Sequence, residues 1–279
     1  MRSLVNHPLG LGRRTLAGFV AITLMPAAAR AAAPACGGSG SGLGILRILA
    51  DDHARAGGAS IDLLPSLGSA GGLAALRAGR LDLAIATQPP PATMLAAGYR
   101  MRPLARTPVV VATHAEAGVP ALAAEAAGRL LAGSDRAWPG GAAVRPILRE
   151  RTEREWVALR EGLPRIAQVL GATGPGAGLV ALSAQENLSA IAGIAGAIGV
   201  TTLGQVATDA AAVAVPSIDG VAPSPDALAA GAWRPALSLH LVWRDPAPAP
   251  IAAFLAHLDG PSAAGLLARH AYIPVEPTA

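Results

Sequence analysis

Two glycine-serine loops, Gly38-Ser39-Gly40-Ser41-Gly42 and Gly68-Ser69-Ala70-Gly71-Gly72, hold the residues of this chain best suited to chemistry. Each runs into an apolar pattern of helical spacing. Each can therefore aim bare backbone N–H groups, serine hydroxyls and the positive end of a helix at one small anion. One helix and one strand separate the loops, which suggests a site assembled in a cleft. For either loop alone the alternative is a tight strand-to-helix turn with an ordinary cap. Arg149 is a candidate fork for an oxyanion, with surface pairing to Glu150 or Glu153 as its alternative.

Other chemistries lack candidates. His53, His114, His240, His257 and His270 share no metal-ligand spacing, so no metal site is expected. There is no Gly-x-Ser-x-Gly elbow and no serine with a histidine-acid partner, so no catalytic residue is nominated. The chain contains no lysine, which removes a Schiff-base amine, a pyridoxal phosphate anchor and the lysine of a nucleotide loop. No cofactor is implied.

The elements that must position the loops follow an α/β pattern. Leu43, Leu46, Leu49 and His53 predict a helix starting near Gly42. Ser60 to Leu64 reads as a short strand, and the second loop opens a helix that ends at the C-cap glycine Gly79. Leu81 to Ala86 and Pro108 to Thr113 are nearly continuous in apolar residues, as buried parallel strands are. Asp82, in the first of these, is expected to bond a neighbouring backbone N–H. Further on, a helix is expected over Gly118 to Leu131 and a strand over Val144 to Leu148. The charged run Glu150 to Arg165 reads as a solvated helix around Trp156, with Leu159 facing inward. Gly171 to Gly178 reads as a flexible link and Leu179 to Leu182 as a strand. Ser183 is placed to cap a helix across Asn187 to Ala192, whose first turn, Gln185-Glu186-Asn187, needs no ligand to explain it. Strands over Ala197 to Thr201 and Leu237 to Trp243, and a tail of two helices, complete the pattern.

With 279 residues, 52% hydrophobic and 14% charged, the chain can bury a core and is too apolar to be disordered. The formal charge of +4 argues little for nucleic acid. Arg2, Arg13, Arg14 and Arg30 all lie in the first thirty-one residues without an acid, so the remainder is neutral. Aromatic content is 3%, leaving few stacking platforms, and no nucleic-acid partner is expected. Residues 1–31 read as an export signal: Arg13-Arg14, the apolar run Leu16 to Met25, and Ala29-Arg30-Ala31 as cleavage site. The general secretory and twin-arginine routes both fit. Cys36, the single cysteine, forms no intramolecular disulfide; it is either a plain exposed thiol or, less in keeping with Ala33-Pro34-Ala35 before it, a lipid-modified residue.

The segment Gly37 to Pro89, with G-S-G-S-G, helix, strand, L-G-S-A-G-G and A-G-R-L-D-L-A-I-A-T in order, resembles the phosphate-binding proteins of bacterial ABC importers. So do Gly196 to Gly204, Ile218 to Ser224, and the tail from Phe254 to Pro274. The resemblance covers most of the chain after the export signal. It implies a two-lobed type II periplasmic binding protein fold, α/β, with mixed sheets flanked by helices and a ligand cleft between lobes. Its implied boundaries are residues 32–112 for the first part of lobe 1, 113–236 for lobe 2, and 237–279 for a return to lobe 1.

By that resemblance Ser39, Gly40 and Ser41 present donors from one helix end, and Ser69 and Gly71 from a second. The family's acidic residue, which accepts a proton from hydrogen phosphate, falls at Thr87. In lobe 2 Arg149 occupies the family's arginine position, but Glu153-Arg154-Glu155 replaces the serine-glycine-threonine turn, and Thr152 is left as a substitute donor. Two carboxylates there would repel an anion unless they point outward or pair with arginine. The expected function is an exported, periplasmic solute-binding protein. It acts as a monomer without catalysis, capturing a small tetrahedral oxyanion, phosphate first, for a membrane ABC permease. The alternatives are an exported sensor or interaction subunit with altered anion binding and, ranked lower, a hydrolase on the same fold.

Overall fold

The first described strand, β1 (Ala35–Gly38), leads through α1 (Gly40–Arg55), β2 (Asp62–Leu63) and α2 (Gly68–Arg77) to β3 (Leu83–Ala86). The coordinates are a computed structural model that describes residues 33–173 and 178–275. The expected export signal and residues 174–177 lie outside the described residues. β1 pairs in parallel with both β2 and β3, which makes the expected βαβ units. α1 buries Leu43, Leu46, Leu49 and His53 along one face, as their spacing requires. Gly79 follows α2 at φ +67°, the left-handed conformation of a C-cap glycine. Asp82 Oδ2 accepts a 2.9 Å hydrogen bond from the Ala35 backbone N–H, so this acid ties β1 to β3.

The chain continues through α3 (Ala92–Ala96), β4 (Tyr99–His114), β5 (Ala121–Leu122), α4 (Ala124–Leu131), β6 (Arg145–Leu148), α5 (Arg154–Gly162) and α6 (Pro164–Thr173). Next come β7 (Leu179–Val180), α7 (Ala184–Gly193), β8 (Ala197–Thr202), α8 (Leu203–Thr208), β9 (Val213–Ala214) and β10 (Ser217–Ile218). The last elements are α9 (Pro225–Ala229), β11 (Ala236–Arg244), α10 (Ala249–His257), α11 (Pro261–Arg269) and β12 (Ile273–Pro274).

One mixed sheet runs in the order β2-β1-β3-β11-β4-β8-β6-β7, with β9 and β12 also on β4. The 16-residue β4 pairs antiparallel with β11 over 99–108 and with β8 over 109–113, so it crosses from one half of the sheet to the other. This corrects the parallel reading of Pro108 to Thr113. A strand covered on both faces is apolar throughout whichever way its neighbours run.

Other departures are local. The helix expected from Gly118 is only α4, preceded by the short β5. The charged run Glu150 to Arg165 is not one solvated helix: α5 ends at Gly162, α6 starts at Pro164, and both Glu155 and Trp156 are buried. Gly171 lies inside α6 rather than at the start of a link. Ser183 caps α7 as expected, in a box with Glu186.

Cys36 corrects the reading of an exposed thiol. It is fully buried in β1, and burial first, then the nearby charge of Asp82, pushes its thiol up to about 12. A thiol in this place is not exposed. Around it pack Ile45, Leu83, Ile85, Leu239 and Phe254 as part of one core. The tail closes that core from below the first loop. The Tyr272 hydroxyl donates to the Ser41 carbonyl at 3.3 Å, and the ring lies where a Cβ on Gly204 would stand 2.3 Å away.

His53 adds a pH dependence. Its ring meets Phe254 and His257 edge-on at 5.5 and 5.1 Å, and its Nε2 is buried without a partner among the described residues. Burial first, then His257, holds its folded pKa below the ordinary histidine value; burial does the same to His240. The unfolded chain therefore takes up these protons first as pH falls through about 6.5, and stability drops. Asp52 acts in the same sense further down. The hydroxyl of Ser262 and then His257 lower its pKa, so its contribution is complete above about 3.9 and lost as pH falls through its folded value. The urea midpoint should be lower at pH 5.5 than at pH 7.5, and His53→Leu should shrink that difference. Equal midpoints for the wild type would remove this account.

Candidate functional site

Three helices start at one cleft without a side-chain cap. The N-cap residues Ser39 of α1, Leu67 of α2 and Glu153 of α5 make no capping hydrogen bond through their side chains. The first-turn N–H groups of these helices are orphans that a ligand can satisfy, and the helix ends add partial positive charge. The cleft has a volume of about 450 Å³, and its walls include Ser39, Gly40 and Ser41 from one side and Arg149 and Thr152 from the other.

Seven of the eight expected site residues come together here: Ser39, Gly40, Ser41, Ser69, Thr87, Arg149 and Thr152. Gly71 does not line the cleft. It sits inside α2, where a Cβ would meet only Leu67 at 3.2 Å. Its neighbour Gly72 has the structural role instead, since a Cβ there would stand 2.6 Å from Gly38 Cα; the two loops touch through bare backbone.

Ser69 and Thr87 form a unit. The Thr87 N–H donates to Ser69 Oγ at 3.0 Å, and the two hydroxyls share one further bond of 3.0 Å. Two hydroxyl protons are available and one is used between them, which leaves one to donate outward. Thr87 is thus a neutral group that orients Ser69.

The opposite wall differs from expectation. Arg149 is paired, but not on the surface: its side chain is 10% exposed, Nη2 stands 2.5 Å from Glu153 Oε1, and Nη1 is buried without a partner among the described residues. Glu155 points inward, where its carboxylate accepts from the buried Ser41 hydroxyl. Gln185 of α7 also reaches across, donating to the Gly40 carbonyl at 2.8 Å, and a Cβ on Gly40 would collide with its amide at 2.2 Å. The Gln185 Oε1 is buried without a partner among the described residues. Sequence reasoning placed Glu153, Arg154 and Glu155 beside the anion, and all three line the cleft; what it missed is that Glu155 is buried against Ser41. The signal was available: Glu155 precedes the inward-facing Leu159 by four residues and so shares its helix face.

A second cavity, of about 430 Å³, shares Arg149 and is lined mainly by Leu131, Leu148, Trp156, Leu170 and Val180. Glu150, Arg151 and Arg160 also line it, but it has neither the serine hydroxyls nor the converging helix starts of the first cleft. Among the described residues no group of three histidine, cysteine or acidic side chains is placed to hold a metal.

The profile of a PBP superfamily domain matches residues 26–259. The chain belongs to the PBP superfamily. No curated protein matches the sequence. Among solved structures, this PBP-superfamily chain is similar to a putative phosphate ABC transporter substrate-binding protein from Clostridium perfringens with bound phosphate. That match has 17% identity and a TM-score of 0.70, covering 88% of this chain and 100% of the other. A periplasmic molybdate-binding protein from Azotobacter vinelandii aligns at 17% identity and TM-score 0.60, covering 87% and 100%. A phosphate-binding protein from Stenotrophomonas maltophilia aligns at 15% and 0.61, covering 88% and 91%. At these identities the likeness establishes the fold: a mixed α/β sheet flanked by helices, as in the periplasmic binding proteins.

Proposed function

We propose that this protein is an exported solute-binding protein that captures a small tetrahedral oxyanion, phosphate first, and delivers it to an ABC permease without chemical turnover. The observation that carries this reading is the convergence of three uncapped helix N-termini, the Ser69–Thr87 hydroxyl pair and the buried Arg149 on one cleft. Preorganised N–H and O–H donors stabilise an oxyanion without net charge on the protein. The solved relatives with phosphate and molybdate in their names support the ligand class. In this reading residues 32–112 and 237–279 form one lobe, 113–236 the other, and β4 is one of the strands between them. Export would place the monomer in the periplasm.

A second reading, an exported sensor or interaction subunit, is favoured by one observation: Glu155 already occupies the Ser41 hydroxyl. Isothermal titration of the mature protein, freed of bound anion by partial unfolding and refolding, separates the two. Phosphate should bind at micromolar concentration or tighter, and sulfate and molybdate more weakly. Ser69→Ala removes one of the two paired hydroxyls and leaves the Thr87 N–H unpaired, so it should weaken phosphate binding about tenfold or more, the worth of a hydrogen bond to a charged group. If no oxyanion binds, the transport reading fails and the sensor reading gains.

A further inference from the structure

The charged side chains that line the cleft are Arg149 and Arg154 against Glu153 and Glu155. They cancel, so what remains is a dipolar surface: donors and helix ends on one part, carboxylates on another. Glu153 is matched by Arg149. Glu155 is not matched. It is buried, its bond is to a neutral hydroxyl, and among the described residues no cation comes within ion-pair distance of it. A buried carboxylate without a cation is unusual in a protein, because burial removes the water that stabilised it. Arg149 Nη1, buried beside it on the same wall, equally lacks an acceptor. One ligand that satisfies both has an anionic and a cationic end.

Size points the same way. A cleft of about 450 Å³ falls within the range that small organic molecules fill, well above the needs of a bare tetrahedral anion. Resting on the oxyanion reading above, we propose that the oxyanion is the head of a zwitterion. The ligand is an aminoalkyl phosphate or phosphonate whose phosphoryl group takes the helix ends, Ser69 and Arg149, and whose ammonium takes Glu155. Glu155 is then the residue that determines specificity, since it repels a free dianion and attracts a ligand carrying its own cation.

The test is titration of the mature protein with four probes: inorganic phosphate, methylphosphonate, 2-aminoethylphosphonate and O-phosphoethanolamine. The amine-bearing pair should bind at least tenfold tighter than phosphate and methylphosphonate. Glu155→Gln keeps an amide oxygen for Ser41 to donate to, and should abolish that preference and tighten phosphate binding, because the repelling charge is gone. The thermal transition of the variant, measured alongside, identifies a misfolded protein, in which case Glu155→Ser replaces it. Phosphate binding as tightly as the amines, or a preference that survives the loss of the carboxylate, overturns the zwitterion proposal and leaves the oxyanion reading intact. Failure of all four probes to bind overturns both.

Discussion

Replacing Arg149 by alanine is expected to lower phosphate affinity more than 100-fold. The guanidinium is nine-tenths buried, pairs with Glu153 through one nitrogen and has a second nitrogen unbonded among the described residues. Its removal does two things. It deletes a charge-assisted donor, worth about 1.5–3 kcal/mol toward an anion. It also leaves Glu153 and Glu155 facing the ligand with only Arg154 to offset them. Unit charges 4 Å apart at a partly exposed site interact by about 4 kcal/mol at an effective dielectric of about 20. The sum exceeds the ~2.7 kcal/mol that a 100-fold change represents. The double variant Arg149→Ala with Glu153→Ala should recover part of the loss, because it removes one of the repelling carboxylates. Calorimetric titration of both variants measures this. An Arg149→Ala affinity within threefold of wild type would show that the anion does not use this wall.

The largest effect on stability should come from Gly38→Ala. Gly38 has φ +132°, and a Cβ there would stand 2.1 Å from the Ile85 carbonyl oxygen, a backbone atom that has no rotamer by which to yield. Strain of about 1–3 kcal/mol for a forbidden backbone conformation combines with about 1–3 kcal/mol for overpacking. A loss of about 3 kcal/mol or more lowers Tm by roughly 6–12 °C in a domain of this size. Binding should fall as well, since the Gly38 carbonyl accepts from the Leu67 N–H at 3.1 Å at the start of α2 and Gly72 packs on Gly38 itself. Gly68→Ala is the control: its φ of +67° disfavours a side chain, but the space around it is open, so about 1 kcal/mol is expected. Thermal scans of the two variants should therefore differ by several degrees. Equal transitions would mean that Ile85 moves aside.

Much of the molecule was legible where its signals are local. The face of α1, the stop at Gly79, the bond from Ala35 to Asp82 and the cap at Ser183 each depend on residues a few positions apart or on one side chain with a single good use. What the sequence hid is relational. β1 contains Cys36-Gly37-Gly38, and glycine has low strand propensity, so the strand that buries the thiol has no local signature. The direction of β4 is set by β8 and β11, both far along the chain. Glu155 lies in a run of charges, and such a run usually marks a solvated face. Burial there follows from the approach of α1, which no pattern within 150–165 encodes. The site residues were found because the loops that hold them are also helix starts, where composition and geometry coincide. Gly71 shows the boundary of that rule: the helix begins at Gly68 and takes Gly71 out of the cleft.

The buried thiol of Cys36 also makes the protein a ready-made sensor scaffold. With its pKa pushed up to about 12, the thiol stays protonated at pH 7, and the sulfur is closed off from reagents in any case. Fluorescent maleimides would therefore ignore the native cysteine. A new one at Ala70, which is exposed on the cleft rim, would be the single point of attachment. A dye there would report each ligand that enters, in a protein that otherwise keeps its natural sequence.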